Sequence, residues 1–327
     1  MPFDFTPLYK STFEKYVRGG FMDNISKRVP IFNYMRKSGC FAPWSGDGKF
    51  IYEEVFTTLY DSMMQALGPY EEINLQPMNG VELVPFHYKE LVFPITITER
   101  EQKQNSGRAQ AIDLAKSKMK LAELSMSAAM ENMLIGDGTA QGGKVTLGLE
   151  AIMPDNNATG TLGGFSRVTN TWLRHNSTTA AQTAVAFDNL RAKMSNITNS
   201  CTWGTQRPDI YITTQTVYEG YETLSYGKYM PTDRKAAADL GFDGDQLFRG
   251  KPVVFGDYVA SGRMYFLNAE ALKLRVEGLK KSTDSPFTIE GPYNMRPHQK
   301  ALVWLICLNG AVTANMFRQL GKLYNIS

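Results

Sequence analysis

The stretch Gly138-Thr-Ala-Gln-Gly-Gly143-Lys144 has the glycine and lysine spacing of a loop that cradles a nucleotide's phosphates on backbone N–H groups. Val145 follows, where Ser or Thr would be needed to hold magnesium, and the motif requires a strand before it and a helix after it. Here a helical pattern precedes the loop and Val145–Leu149 reads as extended, so a glycine-rich turn closing a helix is expected instead. His87, His175 and His298 lie in separate segments with no Cys, His or carboxylate at metal-ligand spacing. Cys40, Cys201 and Cys307 form no Cys-x-x-Cys pair, and Cys307 sits in an apolar run where it reads as a small hydrophobe. Nothing assembles a nucleophile, a base and an oxyanion site. The expectation is a chain that is not an enzyme and uses no cofactor or metal.

Composition agrees with that expectation. The chain has 327 residues, a prior of about two domains. With 43% hydrophobic and 20% charged residues, a packed core is within reach and global disorder is excluded. A formal charge of +3 is too small for a protein whose affinity rests on many phosphate contacts. The longest apolar run, Ala301–Leu308, falls far short of the ~20 residues that cross a bilayer, so no membrane is expected. The N-terminus has neither a basic nor an apolar leader region, so no secretory signal is expected, and three distant cysteines fit a reducing cytosol. The sequons at Asn157, Asn176 and Asn196 then mark polar loops only.

The elements that would position any site divide the chain unevenly. Residues 1–45 read as an arm, with helical stretches around Ser11–Arg18 and Asn24–Lys37 broken by Gly19-Gly20 and Pro30. Its apolar positions, among them Phe13 and Phe21, are too sparse for a core and need another surface. That surface is either the chain's own body or a neighbouring subunit, and for the second role Phe13, Phe21, Arg28 and Arg36 are the candidate residues. Residues 46–98 read as a long two-stranded excursion with a mobile tip: Phe50–Thr57 and Glu82–Thr98 alternate, and Pro85 and Pro94 confine the return to edge positions. A lone two-stranded ribbon is marginal in water, so it must lie on something.

Thr98-Glu99-Arg100-Glu101 fits a capping box, with a break expected at Asn105-Ser106-Gly107. Arg108–Ile135 then runs without Gly or Pro, and Ile112, Met119, Met126 and Met133 recur every seven residues, with Ala115, Ala122 and Ala129 in the same stripe. A core-facing helix of roughly 40 Å is expected. Beyond a Gly-, Asn- and Thr-rich loop, Ala184–Asn196 reads as an amphipathic helix with Val185, Leu190 and Met194 inward. Asp209–Thr213, Lys251–Phe255 and Arg263–Leu267 read as strands, and Gln215–Ser225 as a helix. Ala301–Leu308, Gly310 and Val312–Phe317 read as a buried hairpin.

Several segments, in this order, resemble the major capsid proteins of tailed bacteriophages. They are the excursion before a long helix, Gly148-Leu-Glu-Ala-Ile-Met153, Gly163-Gly-Phe-Ser-Arg167 with Trp172 and Arg174, and Pro208-Asp-Ile-Tyr-Ile-Thr-Thr214. Tyr218-Glu-Gly-Tyr-Glu222, Phe248-Arg-Gly-Lys-Pro-Val-Val254 and Met264-Tyr-Phe-Leu-Asn268 continue the series. The resemblance covers roughly residues 46–320. It implies an α+β chain with the Hong Kong 97-type shell fold: an N-terminal arm (1–45), an extended E-loop (46–98) and a peripheral domain (99–182) carrying a spine helix (108–135). An axial domain (183–295) follows, with C-terminal strands (296–327) returning to the peripheral domain. It also implies a structural protein of the virion, assembled in the host cytoplasm as hexamers and pentamers of an icosahedral head around double-stranded DNA. Its implied partners are a portal protein, a separate scaffolding protein and a decoration protein. An encapsulin-type compartment of the same fold is the nearest alternative, and a nucleotide-binding enzyme using residues 138–144 the alternative of another class.

Charge suggests how such subunits would meet. Residues 1–40 hold seven basic and three acidic side chains, whereas residues 46–95 hold two basic and eight acidic ones. The acidic ribbon is either simply solvated or docks on a basic neighbour. For docking, Tyr70, Glu71, Glu72 and Met78 at the tip and Lys116, Lys118 and Lys120 on the spine are the candidates. The tip, Tyr70–Gly80, has no Lys, so a lysine cross-link between subunits is not expected there.

Overall fold

The architecture comes from a computed structural model of the chain. The structure describes residues 6–16, 21–44, 48–58, 60, 63–67, 70, 72–73, 77–104, 108–177, 185–226, 246–279, 285–295 and 299–327. Glu71 and residues 74–76 of the tip expected to be mobile, the expected break at 105–107, and His298 lie outside them.

Three short helices open the chain, α1 (Thr6–Tyr16), α2 (Met22–Arg28) and α3 (Pro30–Lys37). Pro30 occupies the first turn of α3, where its missing N–H costs nothing. Strand β1 (Phe41–Trp44) follows, then the ribbon pair β2 (Phe50–Phe56) and β3 (Val81–His87). The chain leaves the ribbon through β4 (Lys89–Thr98), so the return stretch is two strands rather than one. β3 pairs only with β2, while β4 joins the main sheet at its edge, where Pro94 needs no partner for the N–H it lacks.

Helix α4 (Glu99–Gln104) starts on the capping box: Thr98 N donates to Glu101 Oε2 at 2.9 Å and Glu101 N donates to Thr98 Oγ1 at 3.3 Å. Helix α5 (Arg108–Ile135) buries Ala111, Ala115, Met119, Ala122, Met126, Met130 and Met133. Ala129, expected in that stripe, is exposed. A strict seven-residue repeat slips about 20° per heptad on a straight helix, and by the third repeat Met130 has taken the inward position.

A helical turn, α6 (Ala140–Gly143), and α7 (Leu149–Ile152) come next, then the small strands β5 (Thr161–Leu162), β6 (Phe165–Ser166) and β7 (Asn176–Ser177). Helix α8 (Phe187–Cys201), β8 (Ile210–Thr213), α9 (Gln215–Tyr226), β9 (Leu247–Phe248), β10 (Lys251–Phe255) and β11 (Met264–Leu267) build a second unit. Strands β12 (Leu272–Glu277), β13 (Thr288–Asn294), β14 (Ala301–Ala314) and β15 (Gly321–Leu323) complete the chain.

Among the described residues two sheets carry the fold. One is built on β14, which pairs with β4, β12 and β13, and β1 adds parallel to β12. The other runs β7-β15-β11-β8-β10-β9. The hairpin expected at Gly310 is absent, because β14 is one strand through that residue. A Cβ at Gly310 would stand 2.0 Å from Arg275 O, so this glycine permits close approach of β12 and does not turn the chain. Val185, expected on α8, instead precedes the helix and bridges to Ile326.

The apolar core falls into two clusters. The larger gathers α1–α3, the inner face of the ribbon, α5 and the β14 sheet; the smaller gathers α8, α9 and one face of the second sheet. Trp304 of β14 anchors the first, with the rings of Tyr9 and Phe13 edge-on to it at 6.0 and 4.7 Å. No described helix is long and apolar enough to cross a membrane.

Candidate functional site

Alternation along β2 and β3 gives the ribbon two unlike faces. Ile51, Val55, Val84 and Phe86 point inward and are buried, and Gly163 lies so close that a Cβ there would stand 2.7 Å from Val84 Cγ1. The outward face pairs Phe56 with Val81, Glu54 with Leu83 and Tyr52 with Pro85. Its large apolar residues are about half exposed: Tyr52 56%, Phe56 53%, Leu83 52% and Val81 49%. Phe56, Val81 and Leu83 are neighbours on the two paired strands, Tyr52 lies beyond them, and the exposed Glu54 sits between Tyr52 and Phe56, so the face is an apolar strip interrupted by one carboxylate.

The inner face also carries one buried charge. Glu53 is buried and paired with Arg275 of β12, Nε to Oε1 at 2.5 Å and Nη2 to Oε2 at 3.1 Å, and the Thr313 hydroxyl donates to Oε1 at 2.8 Å. Two further contacts fasten the ribbon's base. Tyr88 donates to Glu277 Oε2 at 2.9 Å, and Lys89 Nζ donates to Gly143 O at 2.6 Å. That lysine occupies the outside of the glycine-rich loop, whose Gln141, Gly142 and Gly143 have positive φ. The loop follows a helix, as expected, and Lys144–Gly148 is irregular rather than a strand.

The candidate assembly residues separate into three groups. Tyr70, Glu72 and Met78 are exposed on the ribbon, and Lys116, Lys120 and Arg28 are exposed on helices. Lys118 is engaged within the chain, 2.8 Å from Glu101, and Arg36 is half-buried. The arm is the clear correction. Phe13 and Phe21 are fully buried in the chain's own core, Phe21 edge-on to Phe287 at 5.6 Å, so neither is available to a neighbour. The apolar spacing of the arm did not say which surface it would cover.

The described histidines and cysteines offer no reactive centre. Burial pushes the Cys40 and Cys201 thiols up to about 12, far from a thiolate at neutral pH. Burial, and then the nearby Arg167 and Lys322 cations, push His175 down to about 3. No group of His, Cys, Asp and Glu able to hold a metal occurs among the described residues.

A part-buried polar cluster around the buried Lys322 lies where α7 meets the second sheet, and the sequence did not reveal it. Lys322 of β15 is fully buried, with Nζ 2.9 Å from both Glu150 carboxylate oxygens, 2.8 Å from Asp155 Oδ1 and 2.9 Å from Met153 O. Arg263 reaches Glu150 Oε1 at 3.3 Å and Asp155 Oδ2 at 2.6 Å, and Tyr265 donates to Glu150. Burial alone would raise the Asp155 pKa, but Lys322 and Arg263 hold it below the usual carboxylate range. Glu150 with Asp155, Arg263 with Tyr265, and Lys322 come from three distant segments, and no local spacing joins the three.

No protein-family model matches the sequence, and no curated protein does. Solved structures do match. The capsid asymmetric unit of cyanophage A-1(L) superposes with TM-score 0.62 at 15% identity, over 89% of this chain and 92% of that one. The capsid of the native GTA particle matches with TM-score 0.54 at 10% identity, over 90% of each chain. The holo-SrpI encapsulin complex from Synechococcus elongatus matches with TM-score 0.53 at 11% identity, over 88% and 85%. The chain therefore has the α+β fold of capsid and encapsulin shell proteins, the Hong Kong 97-type shell fold.

Proposed function

We propose that the chain is the major capsid protein of a tailed bacteriophage, self-assembling as hexamers and pentamers into an icosahedral head around double-stranded DNA. The observation that carries this reading is the half-exposed apolar strip Tyr52, Phe56, Val81 and Leu83 on a ribbon with a rigidly anchored base. A single subunit leaves that strip in water, and a closed shell of identical subunits would cover every copy. The fold it shares with the cyanophage capsid unit supports the same reading.

In this account the ribbon lies on a neighbouring subunit, with acidic Glu71 and Glu72 near Lys116 and Lys120 of the neighbour's α5. The role is structural and not catalytic. A portal protein, a separate scaffolding protein and a decoration protein are its partners, and the virion its location. The likeness to the Synechococcus elongatus encapsulin favours one second reading, a shell around protein cargo. Nuclease treatment of purified particles separates the two. Protected double-stranded DNA supports the capsid reading, and protein cargo with no protected DNA replaces it with the compartment.

A further inference from the structure

The cluster around the buried Lys322 has the parts of a bond-forming site. The amine is closed off from solvent and stands 2.9 Å from both oxygens of Glu150. It meets Asp155 Oδ1 at 2.8 Å, off the hydrogen-bond direction, and that oxygen is buried with no hydrogen-bond partner. The other oxygen, Oδ2, is held by Arg263 Nη2 at 2.6 Å. Met153 O, accepting from Nζ at 2.9 Å, fixes the amine from a further side. A nucleophile, a base and a donor for a developing oxyanion thus converge on one carboxyl carbon.

We propose that Lys322 and Asp155 condense into an amide bond within the chain. Glu150 takes one proton from the ammonium and passes it to Asp155 Oδ1, and the freed Nζ lone pair attacks Asp155 Cγ. Arg263 stabilises the charge that builds on Oδ2 in the tetrahedral adduct. Glu150 then takes a second proton from the nitrogen and gives it to Oδ1, the Cγ–Oδ1 bond breaks, and water leaves. Two of the three ammonium protons depart with Oδ1 and one stays on the amide nitrogen. Ammonium and carboxylate become amide and water, with no oxidant and no cofactor.

Two effects favour the step. The reacting groups are already held in contact, which replaces a bimolecular encounter by an intramolecular one. The product is neutral, so the buried Lys322 ammonium no longer carries its desolvation cost, and Arg263 keeps Glu150 as its partner. The bond would fasten the loop after α7 to β15, and so the larger core to the smaller. It lies within one chain and is independent of any contact between subunits.

Mass spectrometry of the full chain, unfolded after purification in its folded form, tests the proposal. The expected mass is that of the sequence less one water, with digestion yielding a branched peptide that joins the segments carrying Asp155 and Lys322. A Lys322→Arg chain should keep its full mass. A Glu150→Gln chain that retains the wild-type circular dichroism spectrum should also keep it. A wild-type chain at full mass overturns the proposal. So does the loss of one water without the branched peptide, and a Glu150→Gln chain that condenses as fully as wild type removes the proton-transfer role.

Discussion

Arg275 grips Glu53 with both arms of its guanidinium group, and this pair joins the ribbon to the central sheet. Glu53 has almost no access to water, and Arg275 and the Thr313 hydroxyl supply its hydrogen bonds. A ribbon that would be marginal alone is thereby tied to the sheet, with its outer face exposed.

Truncating one partner should expose that dependence. Arg275→Ala leaves a buried carboxylate without its counter-charge and should destabilise the subunit by about 3 kcal/mol. Glu53→Gln keeps an acceptor for Arg275 Nε and the Thr313 hydroxyl, loses the bond from Nη2, leaves no buried charge and should cost less. Urea denaturation of dissociated subunits measures both, and equal midpoints for Arg275→Ala and wild type would refute the anchoring role.

Acid should weaken the fold through His175. Its folded pKa is about 3, below the roughly 6.5 of an unfolded histidine, so between those values the unfolded chain binds a proton that the folded chain does not. Stability therefore falls as pH drops from about 6.5 toward 3, with a slope on the order of 1.4 kcal/mol per pH unit from this residue. Denaturation midpoints across that window should show a shallower fall in His175→Gln than in wild type.

The outer ribbon face should matter for assembly and little for folding. Leu83→Asp places a charge in the apolar strip without opening a cavity, and exposed substitutions usually change stability by no more than about 0.5 kcal/mol. Sedimentation should show that this variant fails to form particles, while thermal melting of the subunit stays near the wild-type value. Normal particles from Leu83→Asp would remove the strip from the interface.

Charge should steer docking more than it strengthens it, since exposed pairs contribute only ~0.2–1 kcal/mol each. Glu71→Lys combined with Glu72→Lys should slow assembly or raise its error rate, most visibly at low salt. Light scattering across ionic strength measures this. A parental rate and fidelity at every salt concentration would contradict the electrostatic role of these two residues.

The sequence revealed what local rules govern. The uninterrupted run from Arg108 to Ile135 and the capping pair Thr98 and Glu101 could be read directly, because periodicity and capping act within a few residues. Gly310 was misread because a glycine in an apolar run is compatible with a turn or with a close strand approach, and only the partner Arg275 decides. The burial of Phe13 and Phe21 was hidden for a similar reason, since their spacing indicates an apolar face but not what covers it. The Lys322, Glu150 and Asp155 cluster depends on chain reversals that bring distant segments together, and no spacing encodes it.

The central claim is that this chain builds a closed shell, and electron microscopy of the purified assembled protein tests it most directly. The account predicts icosahedral particles with fivefold and sixfold capsomers, in which the strip Tyr52, Phe56, Val81 and Leu83 of each ribbon is covered by an adjacent copy. A protein that stays monomeric at high concentration, its ribbon strip still facing solvent, would contradict it.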